Sequence, residues 1–221
     1  MTAGLIRRAR ERVELRLEQR GILDSCRRLI LVSGMARTGT SATAAYIGSH
    51  PSVRLVVGDG MWSFAESDLA RQEKGDVCWD TIEELLREHF PNRILIKQPW
   101  ASANMSFLWM VLRRGGKIII CFREKRSLLD SWNKSPHVSS STKLYPEKTY
   151  NDWLKCDERV IQMGAMRVDM EKLGPDMAVP LGKHLRLDPN GFDPERIKKR
   201  WEEILEEPWV KKHAIWKDRP R

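Results

Sequence analysis

A chain of 221 residues is about one and a half times a typical domain, which predicts one domain with an elaboration across 1–221 and a core that needs no staples. With 41% hydrophobic and 31% charged residues and nine Trp, the composition excludes collagen, coiled-coil, low-complexity and disordered classes. The net charge of +9, from 39 basic and 30 acidic residues, favours an anionic partner without naming it.

Residues 1–20 carry six Arg against three Glu, with Leu5, Ile6, Val13 and Leu17 spaced as the apolar side of a helix whose solvated face holds Arg7, Arg8, Glu11 and Glu14. That reading outweighs a nucleic-acid-binding arm, which the nine basic against five acidic residues of 196–221 nonetheless keep open. No apolar run reaches the roughly 18 residues of a membrane helix, and the arginines near the start precede no long apolar stretch, so a cytoplasmic chain without a membrane span is expected. Cys26, Cys78, Cys121 and Cys156 stand singly, without zinc or redox spacing, which predicts reduced thiols.

Residues 29–32 form a first apolar burst that ends at Ser33-Gly34, followed by helical spacing over 41–49 that stops at His50-Pro51. A second burst spans 53–57 and closes on Gly58-Asp59-Gly60; a helix is expected over 81–90, a third strand over 93–96, a helix over 107–112 and a fourth strand over 117–122. Continuous apolar strands separated by helices imply a parallel sheet covered on both faces. Beyond Phe122 the pattern turns helical, over 127–132, 150–173 and 194–205, with a polar loop at 136–146 and a weak last strand within 178–187, where Pro180 and Gly182 argue against it.

The strongest motif is Ser33-Gly34-Met35-Ala36-Arg37-Thr38-Gly39-Thr40-Ser41, between the first strand and the helix it opens. Glycines there let the backbone turn tightly, and the helix N-terminus offers free N–H groups to an anion. Gly34, Gly39 and Ser41 match the nucleoside-triphosphatase loop, but its lysine position holds Thr40, and a hydroxyl cannot reach the outer phosphates with charge. Arg37 can supply a cation from within the loop instead, so the pattern suits a phosphate-like group and need not hold magnesium-bound ATP.

This loop, with His50-Pro51 after its helix, resembles the 5′-phosphosulfate loop of sulfotransferases that use 3′-phosphoadenosine 5′-phosphosulfate (PAPS). The family's second signature, an arginine leaving a later strand and a serine eight residues on, is similar to Arg123 and Ser131, and its Lys-x-Pro lysine to Lys97 in Lys97-Gln98-Pro99. The resemblance covers about 29–135 and implies an α/β, P-loop-like three-layer fold with a central parallel sheet and a helical carboxyl-terminal elaboration. It also implies that Gly34, Arg37, Thr38, Gly39, Thr40, Ser41, Arg123 and Ser131 hold the donor, that adenosine 3′,5′-bisphosphate is released as product, and that a small molecule or glycan accepts the sulfuryl group. The chain departs from the family where Glu124-Lys125 replaces the Asp-Pro that often follows the arginine.

Sulfuryl transfer needs an acceptor oxygen in line, a base for its proton and cations against the charge that develops on the leaving oxygen. Arg37 and Lys97 are the candidate cations. Members with this type of loop often place a carboxylate some 22 residues after the loop arginine, where Asp59 stands, although aspartate between two glycines is also a common turn residue. Glu66 is the alternative base, since Trp62-Ser63-Phe64 could wall an acceptor pocket in which a carboxylate would hold its proton more tightly. Trp62 and Trp100 are candidate acceptor contacts, whereas Trp109 and Trp132 read as core. The competing functions are a P-loop nucleotide kinase or ATPase and a noncatalytic module that binds a polyanion through its charged ends.

Overall fold

The computed structural model describes residues 26–55, 82, 85–98, 105–135, 140–193 and 195–199. Five strands form one sheet: β1 (Leu29–Gly34), β2 (Val53–Leu55), β3 (Arg93–Lys97), β4 (Lys117–Phe122) and β5 (Met166–Asp169). Their order is β2-β3-β1-β4-β5, and every pairing is parallel. The helices are α1 (Thr40–Gly48), α2 (Met105–Arg113), α3 (Lys125–Lys134), α4 (Ser140–Leu144), α5 (Pro146–Gln162) and α6 (Ala178–Leu185).

The unbroken apolar strands follow from burial on both sides. Leu31 is in register with Ile96 and Ile118, and this face packs with Leu29, Ile94 and Ile120 against Phe107, Leu108 and Val111 of α2 and Val160 of α5. Ile30 is in register with Leu95, and the opposite face, with Val32 and Ile119, meets Ala44 and Ile47 of α1 and Leu181 and Leu185 of α6. The result is a three-layer α/β fold. Because β1 has β3 on one side and β4 on the other, the strand order reverses beside it, and in such sheets the crevice for a ligand opens at the carboxyl ends of the strands there.

The elements expected over 29–32, 41–49, 93–96, 107–112, 117–122 and 127–132 agree with the structure to within a few residues at each end, as does the strand expected over 53–57 as far as residue 55; residues 85–88 and 195–199 are helical, as expected. Three expectations are corrected. The helix expected over 150–173 spans Pro146–Gln162 and gives way at Gly164, whose φ of 113° stops it, to β5. This last strand buries only Val168 fully, so Met-Arg-Val-Asp carries no apolar run to signal it. The weak strand expected within 178–187 is helix α6, where Pro180 falls in the first turn and needs no hydrogen-bond donor. The loop expected over 136–146 contains α4 and the first residue of α5, with Pro146 at its start; residues 136–139 lie outside the described residues. The amphipathic segment of 1–20 also lies outside them. No helix among the described residues is long and apolar enough to cross a membrane.

Candidate functional site

Three backbone features shape the loop between β1 and α1. Gly34 adopts φ 141°, and a Cβ there would lie 2.5 Å from the carbonyl oxygen of Cys121 and 2.8 Å from Thr38 Oγ1, so only glycine lets β1 turn this close to β4. Arg37 is left-handed at φ 74°, a conformation that costs a non-glycine residue about 1–2 kcal/mol. Gly39, at φ 91°, precedes α1 and offers no side chain to cap it, so the first-turn N–H groups of α1 have no side-chain acceptor at that position. No acidic residue stands in that turn. A bare, positively polarised helix start behind a tight loop suits an oxyanion.

The rest of the site comes from the strands on either side. Thr38 Oγ1 donates to the carbonyl of Met35 at 2.7 Å, which turns the buried threonine inward and fixes the loop from within. Lys97, at the end of β3 and 5% exposed, brings Nζ to 3.5 Å from Ser41 Oγ in the first turn of α1. A cation from the neighbouring strand β3 therefore stands beside the loop, whose lysine position holds Thr40. From the β4 side, Arg123 Nη1 donates to the carbonyl of Arg37 at 3.4 Å, and Arg37 Nε donates to Ser131 Oγ at 3.1 Å. Arg37, Arg123 and Ser131 therefore form one cluster, while Lys97 and Ser41 meet at the other flank of the loop.

Helix α3 carries Ser131 and is anchored at both ends. Glu124 caps it, its carboxylate accepting from the backbone N–H of Ser127 at 2.7 Å and of Arg126 at 3.0 Å, and these bonds hold the carboxyl below its ordinary range. The departure from Asp-Pro at this point thus leaves a functional N-cap. Trp132, fully buried with Met35 and Leu128, donates its indole N–H to the carbonyl of Ala36 at 2.8 Å. Its core reading is correct, but it also ties α3 to the loop, a role that no sequence pattern marks apart from its place next to Ser131. Met170, just past β5, lies against Gly39, again without a sequence signal.

Asp59, Glu66, Trp62 and Trp100 lie outside the described residues. Among the cysteines, Cys26, Cys121 and Cys156 are free thiols, and burial pushes Cys26 up to about 11 and Cys121, beneath the loop, up to about 12, which keeps both protonated and inert.

No family model matches the chain, and no curated protein matches it. Among solved structures it is similar to a mouse sulfotransferase complexed with PAP, at 16% identity and a TM-score of 0.48, over 80% of this chain and 64% of that one. The chain thus spans less than two thirds of that sulfotransferase. A shikimate kinase from Bacteroides thetaiotaomicron is similar at 13% identity and a TM-score of 0.30, over 80% of this chain and 96% of the kinase.

The donor set of the site is cationic and neutral: Arg37, Arg123 and Lys97, the hydroxyls of Ser41 and Ser131, and the α1 amides. Such a set is suited to an anionic ligand.

Proposed function

We propose that the chain transfers a sulfuryl group from PAPS to a hydroxyl or amine acceptor, with adenosine 3′,5′-bisphosphate as the second product. The observation that carries this reading is the arrangement of cations on the loop. Arg37 supplies charge from within the loop, and the ammonium of Lys97 stands by Ser41 Oγ, the hydroxyl that binds magnesium in a nucleoside-triphosphatase loop. A cation already at that hydroxyl disfavours a divalent ion there and suits a metal-independent donor.

PAPS supplies the sulfuryl group when bound. The α1 amides of Thr40 and Ser41, with Arg37, would hold its 5′-phosphosulfate end, together with the loop backbone from Gly34 to Gly39. Arg123 and Ser131 would hold the 3′-phosphate, for which Ser131 exchanges its bond with Arg37. Lys97 would neutralise charge on the leaving oxygen. Asp59 or Glu66 would take the acceptor proton as the new S–O or S–N bond forms and the bond to the 5′-phosphate breaks. The acceptor is a small molecule or a glycan, and the pathway of protons ends on the carboxylate.

The test is thermal stability across a nucleotide panel. Adenosine 3′,5′-bisphosphate should raise the melting temperature without magnesium, since a ligand at a hundred times its dissociation constant adds about 2.7 kcal/mol. Stabilisation by ATP alone, and only with magnesium, would replace sulfuryl transfer by phosphoryl transfer.

A further inference from the structure

The opposite edge of the sheet holds a second concentration of positive charge. Lys117 is in register with Ile30, as is Leu95 on the other side, and Arg93 is two residues before Leu95. Side chains alternate along a strand, so Arg93 and Lys117 share the face that α6 covers. The Arg93 guanidinium donates to the carbonyl of Leu185 at the end of α6, and the next residue, Arg186, is exposed. His184, in the last turn of α6, lies within electrostatic reach of Lys117, and its ring is hydrogen-bonded to the backbone of Ile118.

These groups repel one another. Arg186 and Arg93 each disfavour the charged form of Lys117, after burial, and Arg186 does the same to Arg93. Among the described residues, none of Arg93, Lys117 and Arg186 has a carboxylate within salt-bridge distance. Asp188 is close in sequence, but its carboxylate accepts from the backbone N–H of Asn190. The carbonyl end of α6 offsets part of one charge, through Arg93, and leaves the remainder. Arg186 also holds a left-handed backbone, φ 55°, at a helix C-terminus where glycine is the usual residue. An arginine thus stands there at a conformational cost, beside two half-buried cations.

We propose that Arg93, Lys117 and Arg186 form a second oxyanion site, which takes a phosphate or sulfate group at the amino-terminal edge of the sheet. The six residues of β1 separate it from the phosphate loop by about 20 Å, so the two sites hold different groups. Lys117 and Arg186 supply charge, and Arg93 is shared between the anion and the end of α6. This inference does not depend on sulfuryl transfer at the loop.

The probes are inorganic phosphate and sulfate, titrated into the full chain at constant ionic strength with chloride as reference and read by calorimetry and melting temperature. An Arg37→Ala chain, with the loop weakened, should still bind phosphate, and adding Lys117→Gln and Arg186→Gly should lower its affinity at least tenfold. Arg186→Gly alone should melt at a higher temperature in chloride, because glycine adopts φ 55° freely, yet gain less from phosphate than the parent; loss of binding is then not loss of folding. A sulfated dextran oligomer that binds more tightly than sulfate, and loses that advantage in Lys117→Gln/Arg186→Gly, would assign the group to a polymer; equal affinities would assign it to a free anion. The site is overturned if Arg37→Ala abolishes all phosphate binding, or if Lys117→Gln and Arg186→Gly leave its phosphate affinity unchanged.

Discussion

The indole N–H of Trp132 bonds the carbonyl of Ala36 across 96 residues of sequence, so the helix that follows β4 holds the apex of the loop that follows β1. One residue away, Ser131 accepts from Arg37. The two contacts join α3, which carries Ser131, and the loop into a single mechanical unit.

Trp132→Phe keeps most of the buried ring and removes the N–H. It should cost about 1 kcal/mol of stability, the usual net worth of a hydrogen bond, and weaken adenosine 3′,5′-bisphosphate more than a stability change of that size accounts for. Trp132→Ala should cost about 3–5 kcal/mol. Chemical denaturation and nucleotide titration of the Phe variant check the first outcome; unchanged nucleotide affinity would reduce Trp132 to a packing residue.

Arg123→Ala and Ser131→Ala should weaken adenosine 3′,5′-bisphosphate while leaving AMP nearly unaffected. The arginine should matter more, since a hydrogen bond to a charged group is worth about 1.5–3 kcal/mol. A double-mutant cycle with Arg37→Ala and Ser131→Ala should be non-additive by at least about 0.5 kcal/mol, because the two side chains touch. Equal weakening of both nucleotides by Arg123→Ala would mean that it supports the fold and does not read a 3′-phosphate.

His50 sets a pH dependence. Its ring accepts from the backbone N–H of Ser52 at 3.1 Å through Nδ1, so Nε2 carries the proton and donates to the carbonyl of Asp188 at 3.2 Å. Burial is the first cause that lowers its affinity for a second proton, with Arg93 and Arg196 acting in the same direction and Asp188 against them. The unfolded state therefore binds more protons than the folded state just below pH 6.5, and stability should be full above that value and fall as pH drops through it. His184, also lowered by burial, adds to the same slope. His50→Asn keeps an acceptor for Ser52 without a titrating ring, and its stability between pH 7.5 and 5 should fall less steeply than that of the parent.

Asp59→Asn retains the turn-forming amide and removes a proton acceptor. Folding and bisphosphate binding should persist, while release of adenosine 3′,5′-bisphosphate from PAPS, followed across a library of hydroxyl and amine acceptors, should slow by roughly 10² to 10⁴. Undiminished turnover would move the base to Glu66.

The central sheet is legible in the sequence because Ile118, Ile119 and Ile120 and their counterparts in β1 are buried on both faces, and burial on both faces is what removes the alternation from a strand. The phosphate loop is legible from its glycines, which two left-handed positions require. What escapes are elements whose signal lies in tertiary context. Strand β5 buries one side chain fully and owes its existence to pairing with β4, and α6 hides behind Pro180 and Gly182, which are tolerated because one falls in the first turn and the other makes room for Leu187 and Pro189. Lys97 is placed by its strand end, but nothing in the sequence pairs it with Ser41. Contacts between side chains far apart in the chain leave no local pattern to read.

The all-parallel order around β1 also sets when the site comes into being. During synthesis, the loop leaves the ribosome long before β4, α3 and β5, yet Gly34 turns against Cys121, Ala36 accepts from Trp132, and Gly39 packs against Met170. Until the chain has grown past these residues, β1 has an open edge on the β4 side and the loop has no outer wall, a topology that folds slowly because its contacts are non-local. A nascent chain halted before residue 117 would lack β4 and expose that edge to other chains, so the surroundings of the loop are completed late.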